Sequence, residues 1–208
     1  MFSDLEDDEL QTIESHAASK SYPKNSIIIN EGDDTNSLYI ILSGKVKAFL
    51  SNEDGKEVIL TILKEGDYFG ELSILDSAPR SASIMTMEPC KFSIISKEDF
   101  DKVMDQHPDI ARKLVAELSS TIRRLTDSVR NLALMDVYGR VARTLLDMAE
   151  EKDGLKVIDQ KLTHQDIAKM IGSSREMVSR IMKDLQKGGY ITPESKRIVI
   201  NEKLPPGW

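Results

Sequence analysis

The chain has 208 residues, 40% hydrophobic and 30% charged, with a net charge of −7. It is long enough for one large domain or two ordinary ones, and its composition suits a soluble, folded protein. No apolar stretch approaches a membrane span. The acidic opening Met1-Phe2-Ser3-Asp4-Leu5-Glu6-Asp7-Asp8 is unlike a secretory signal, and the one cysteine, Cys90, excludes an internal disulfide or a multi-cysteine cluster.

A reducing cytoplasm is the expected compartment. The net charge hides an asymmetry. Residues 1–136 carry 15 Lys+Arg against 25 Asp+Glu, a balance of −10, and residues 137–208 carry 13 against 10, a balance of +3. Opposite signs in the two parts predict two domains with different partners.

From about residue 20 to 100 the chain predicts short strands. Ile27–Ile29, Leu38–Leu42, Lys45–Phe49, Val58–Ile62 and Lys91–Ile95 are rich in β-branched residues and punctuated by Gly32, Gly44, Gly55 and Gly66. Asp54-Gly55 between two of them is a hairpin signal. Strands at this spacing suggest a sandwich or barrel.

Within this region stands Phe69-Gly70-Glu71-Leu72-Ser73-Ile74-Leu75-Asp76-Ser77-Ala78-Pro79-Arg80-Ser81-Ala82. Glu71 can accept hydrogen bonds from a sugar's hydroxyls, and Arg80 can fork onto phosphate oxygens. A short helix opening between them adds backbone N–H groups that favour an anion. The run suits a small ribose phosphate and resembles the phosphate-binding cassette of cyclic-nucleotide-binding domains.

Pro108 can open a long helix. Leu118, Ile122, Leu125, Val129 and Leu132 then recur at 4, 3, 4 and 3, a heptad seam flanked by Arg123, Arg124, Asp127, Ser128 and Arg130. Such a seam pairs with a second copy or packs on the chain's own β domain; its narrowness and flanking charge favour pairing. Asp136-Val137-Tyr138-Gly139-Arg140 interrupts the pattern, and Gly139, costly inside a helix, predicts a hinge or domain boundary near here. Val141–Ala149 reads as an amphipathic helix and Asp153-Gly154 as a turn.

Thr163-His164-Gln165-Asp166 has the capping-box form and opens a short helix. Gly172 supplies a turn, and Ser173-Ser174-Arg175-Glu176 opens a second helix to about Lys187, ended by Gly188-Gly189. This is a helix-turn-helix, followed by a small β-hairpin wing around Pro193–Lys196. The first residues of a recognition helix enter the major groove. Arg175 and Arg180 can read guanine and Glu176 can accept from cytosine, which predicts a G·C-dependent half-site. Glu176 can equally complete a cap with Ser173. Gln165, Ser179 and Lys183 are candidate phosphate contacts. Residues 161–203 hold 9 Lys+Arg against 5 Asp+Glu, or +4.

Four stretches together resemble the CRP/FNR family of bacterial transcription regulators, in particular its cyclic-AMP receptor (catabolite activator) branch. They are Gly70–Leu72 through Arg80–Ala82, Asn131–Ala133, Asp136–Arg140 and Ile171–Arg180. The resemblance implies an α+β chain. A jelly-roll-like cyclic-nucleotide-binding β-roll would occupy 1–107, a long dimerisation helix 108–136 and a winged helix-turn-helix 137–208. It implies that Glu71 binds the ribose hydroxyl, and that Arg80 and Ser81 bind the cyclic phosphate with backbone help from Gly70 to Leu72. Arg175, Glu176 and Arg180 match the triplet that reads TGTGA-like half-sites, and a two-fold dimer implies a palindromic operator.

The family's adenine-contacting Thr-Ser pair is replaced here by Leu125-Thr126; Thr126 can still hydrogen-bond the base. The implied function is a cyclic-AMP-dependent, homodimeric DNA-binding regulator that contacts RNA polymerase if it activates. The loop at Asp153-Gly154 is the polymerase-facing candidate by family position. The alternative is the same regulator acting without cyclic AMP, either constitutive or answering another nucleotide such as cyclic di-GMP. An enzyme or kinase-type regulatory subunit is a remote alternative, since no phosphate loop, metal cluster or nucleophile–base pair is present. His16, His107 and His164 are scattered and read as surface or capping residues rather than haem ligands, and no cofactor is expected.

Overall fold

The computed structural model describes residues 18–152, 154–159, 162–194, 197–201 and 204. The opening acidic segment, His16, Asp153 and the wing tip Ser195-Lys196 lie outside the described residues. The chain divides into two compact units between Arg123 and Arg124, and each is described by itself.

The first unit is built on two four-stranded antiparallel sheets. One has the order β1–β8–β3–β6, from Ala18–Tyr22, Cys90–Ile95, Leu38–Ser43 and Tyr68–Phe69. The other has the order β2–β7–β4–β5, from Ile27–Ile29, Ser83–Thr86, Lys45–Ser51 and Glu57–Lys64. Strand β3 shows why two apolar layers form. Successive side chains point to opposite faces, so Leu38 and Ile40 enter one cluster while Tyr39 and Ile41 join another. The latter cluster holds Ile29, Val46, Phe69, Ile84 and Phe92. The former packs the sheet under helices α1 (Glu71–Asp76), α2 (Lys97–Gln106) and the start of α3 (Pro108–Leu134), through Ile74, Phe100, Val103, Ile110 and Leu114.

Helix α2 was not among the expected elements. Ser96 caps it by accepting from the Asp99 N–H and donating to the Asp99 carboxylate. Helix α3 begins at Pro108 as expected. Its first turns bury Ile110 and Leu114, and Leu118 is partly covered. Beyond that the seam is open: Ile122, Leu125, Val129 and Leu132 are 64%, 49%, 65% and 53% exposed.

The second unit holds the end of α3, α4 (Val137–Met148), α5 (His164–Ile171) and α6 (Arg175–Lys187). Its antiparallel sheet has the order β11–β12–β10–β9, from Ile191–Pro193, Ile198–Ile200, Leu155–Ile158 and Glu150–Lys152. Tyr138, Val141, Leu145, Ile167, Ile171, Val178, Leu185 and Ile198 share one core. The helix break falls at Met135-Asp136, at the head of the Asp136–Arg140 interruption. Asp136 caps α4, its carboxylate accepting the Gly139 N–H at 2.7 Å. Gly139 therefore sits in the first helical turn, where its N–H has no partner inside the helix, and α4 absorbs the residues expected to be a hinge. Among the described residues no helix is long and apolar enough to cross a membrane.

Candidate functional site

Between β6 and α1 the chain turns at Gly70 with φ +89°. A side chain there would meet two obstacles. Its Cβ would lie 2.5 Å from Arg80 Nη1 and 2.7 Å from the Ser37 carbonyl oxygen. Glycine admits both the backbone angle and the guanidinium.

Arg80 lies in the connection from α1 to β7 and is only 4% exposed. Its Nε donates to Thr35 Oγ1 at 2.9 Å, its Nη1 to the Gly70 carbonyl and to Ser73 Oγ, both at 2.8 Å, and its Nη2 to the Ser37 carbonyl at 2.7 Å. All four acceptors are neutral oxygens. Among the described residues no carboxylate forms an ion pair with it. Burial lowers its pKa, opposed by the fields of Tyr39, Glu71 and Asp33. A buried cation without a counter-charge is costly, and an anion at this place would supply one.

Glu71 opens α1, half-buried. Burial pushes its carboxyl above the ordinary range, with its backbone N–H and the Arg80 charge pulling the other way. Leu72 and Ser81 are exposed beside it. Gly70, Glu71, Leu72, Arg80 and Ser81 all lie on the connection from β6 to β7. Thr126 stands exposed on α3, in the second unit. Sequence reasoning missed Thr35, Ser37 and Ser73 as partners of Arg80. Ser73 was within reach, inside the run itself; Thr35 and Ser37 precede Arg80 by 45 and 43 residues with no local signal.

In the second unit the capping box at Thr163 forms in full, with Asp166 returning the bond to the Thr163 N–H. Gly172 ends α5 at φ +63°. Helix α6 is capped by Ser174, whose hydroxyl accepts from the Met177 N–H. The cap joining Ser173 to Glu176 does not form, because the helix starts one residue later and places Met177, not Glu176, at the capped position. Val178, Ile181, Met182 and Leu185 bury one face of α6. Arg175, Glu176, Arg180 and Lys183 stand exposed off that face, Ser179 is half-buried, and Gln165 is exposed on α5. Arg140, another residue the sequence did not single out, joins two helix ends. Its Nε donates to the Ile171 carbonyl at 3.1 Å and its Nη1 to the Met135 carbonyl at 2.9 Å.

These two assemblies match two domain families in order, the cyclic nucleotide-binding domain over residues 19–107 and the Crp-like helix-turn-helix domain over residues 139–203. The chain is 37% identical over 201 residues to the cAMP-activated global transcriptional regulator CRP of Pasteurella multocida, covering 93% of this chain and 95% of that protein. The chain belongs to the CRP/FNR family of transcription regulators. It is also 34% identical over 198 residues to the cAMP-activated regulator Vfr of Pseudomonas aeruginosa, covering 92% of each chain. Among solved structures, the c-di-GMP responsive regulator CLP of Xanthomonas campestris superposes with a TM-score of 0.79 at 26% identity, over 95% of this chain and all of that one. A mutant of CooA from Carboxydothermus hydrogenoformans shares the fold, with a TM-score of 0.80 at 22% identity over 91% and 86% of the two chains. Arg80 lies within the cyclic nucleotide-binding match and α6 within the helix-turn-helix match.

Proposed function

We propose that this chain is a homodimeric regulator that binds cyclic AMP through Glu71, Arg80, Ser81 and the Gly70–Leu72 backbone, and in response binds a palindromic TGTGA-like operator. The observation that carries the ligand half is the buried Arg80 guanidinium, held by neutral oxygens alone. A cyclic phosphate supplies its counter-charge, and the Glu71 carboxylate accepts from the ribose hydroxyl. The names of the CRP and Vfr relatives support cyclic AMP as that ligand.

The dimer half rests on the exposed seam Ile122–Leu132, an apolar stripe at heptad spacing. Ligand binding biases how two α3 helices pair, which requires a ligand that favours one pairing over the other. Arg175, Glu176 and Arg180 read the half-site, while Gln165, Ser179 and Lys183 fix register on phosphates. As an activator it also meets RNA polymerase. The functional boundaries are a ligand domain at 1–107, a dimer helix at 108–136 and a DNA module at 137–208.

A second reading keeps the DNA-binding regulator and changes the signal. Leu125 offers no hydrogen bond where the family's adenine contact stands, and the structural relative CLP is c-di-GMP responsive. Titration of a TGTGA-N6-TCACA duplex at stated salt, with cyclic AMP, cyclic GMP, cyclic di-GMP and no nucleotide, separates the readings. Operator affinity that rises only with cyclic AMP supports the first. Affinity indifferent to cyclic AMP refutes it.

A further inference from the structure

Arg80 is nearly saturated and is covered. Four of its five N–H donors are already spent on protein oxygens, and the residue is 4% exposed. A phosphate from solvent therefore finds one unspent N–H, and that one covered. What covers it is the β2–β3 connection, residues 30–37. Arg80 holds this strap at four places: the Gly32 N–H donates to the Arg80 carbonyl at 2.8 Å, the Arg80 N–H to the Asp33 carbonyl at 2.9 Å, Nε to Thr35 Oγ1 and Nη2 to the Ser37 carbonyl.

Three of the four side-chain acceptors are poor candidates for exchange. Ser37 and Gly70 offer backbone carbonyls, and Ser73 is buried on α1 between Glu71 and Arg80. Thr35 differs on both counts. It is exposed, and its oxygen sits on a side chain that can rotate away without moving the backbone.

We infer that the Thr35 hydroxyl is a placeholder for a ligand phosphate oxygen on Arg80, so that its release is a step of nucleotide binding and Thr35 sets ligand affinity. This rests on the reading that Arg80 receives a cyclic nucleotide's phosphate. In the free protein Thr35 satisfies Nε; in the complex an anionic oxygen takes that donor, and Thr35 turns to water. The exchange conserves the hydrogen-bond count on Arg80 and trades a neutral acceptor for a charged one, the stronger partner for a guanidinium. Linkage then gives the sign. A substitution that removes the placeholder destabilises only the free state, and the loss reappears as tighter binding.

Isothermal titration of the full chain with cyclic AMP tests this on three proteins: the wild type, Thr35→Val, which keeps the shape and deletes the acceptor, and Thr35→Ser, which restores it. Thr35→Val is expected to bind about five-fold more tightly, the effect of one net hydrogen bond. Thr35→Ser is expected to bring the affinity back. Weaker or unchanged binding by Thr35→Val, with heat in the wild type, overturns the placeholder and leaves the cyclic AMP reading standing. No heat in the wild type overturns that reading, and the placeholder with it. A ligand-free melting scan of each variant confirms that the comparison is between folded proteins.

Discussion

Substituting Gly70 by alanine separates the two demands that the site makes on that position. The first is backbone: φ is +89°, where a side chain costs about 1–2 kcal/mol. The second is space: the new Cβ would stand 2.5 Å from Arg80 Nη1 and 2.7 Å from the Ser37 carbonyl oxygen. The carbonyl belongs to the backbone of Ser37, immediately before β3, so Arg80 is the group that gives way. Its Nη1 then leaves both the Gly70 carbonyl and Ser73 Oγ. Displacing the guanidinium removes a charged hydrogen bond to the ligand phosphate worth about 2–3 kcal/mol, or about 30- to 150-fold in affinity.

Gly66→Ala is the matched control. Gly66 has nearly the same φ, +85°, and a Cβ there meets nothing within 4 Å. Both variants are expected to melt lower than the wild type, and only Gly70→Ala to lose cyclic AMP affinity by calorimetry. Equal affinities for the two variants would refute the claim that Gly70 is reserved for the guanidinium.

Val129→Lys places a charge on the open part of the seam, where the side chain is 65% exposed and belongs to no core cluster. Sedimentation is expected to show a monomer of unchanged circular dichroism, with dimer affinity reduced about 150-fold by two lost valine contacts at about 1.5 kcal/mol each. Glu71 has a folded pKa raised by burial, so the folded state binds more protons than the unfolded chain just above the ordinary carboxylate range, and stability falls as pH rises through that window. Glu71→Gln removes this decline and raises the ligand-free melting temperature at neutral pH, while weakening nucleotide binding. Lys183→Ala is expected to weaken binding to all duplexes alike and to reduce the salt slope by about one, whereas Arg180→Ala costs about 1–3 kcal/mol at the G·C position it reads.

What local chemistry dictates was readable in the chain. The hairpin at Asp54-Gly55, the capping box at Thr163, the start of α3 at Pro108 and the alternation along β3 all follow from signals a few residues long. The interruption at Asp136–Arg140 was readable from glycine's low propensity, but the cap by which Asp136 starts α4 was not read. Strand β1 could not be read: Ala18-Ser19-Lys20-Ser21-Tyr22 is a largely exposed edge, and it exists through pairing with β8, more than 60 residues away. The site divides along the same line. Gly70, Glu71 and Arg80 announce themselves by proximity, while Thr35 and Ser37 reach Arg80 only once the strands assemble.

The Arg140 bridge bears on how such proteins are recombined. A chimera joined at Asp136, where the helix visibly ends, takes the Met135 carbonyl from one parent and Arg140 from the other, and their hydrogen bond then depends on how two unrelated helix ends meet. A chimera joined at Arg124 transplants Met135, Asp136, Arg140 and Ile171 together, with every bond among them intact. The seam in the paper pattern for exchanging a reading head thus lies inside the long helix, three turns before its end.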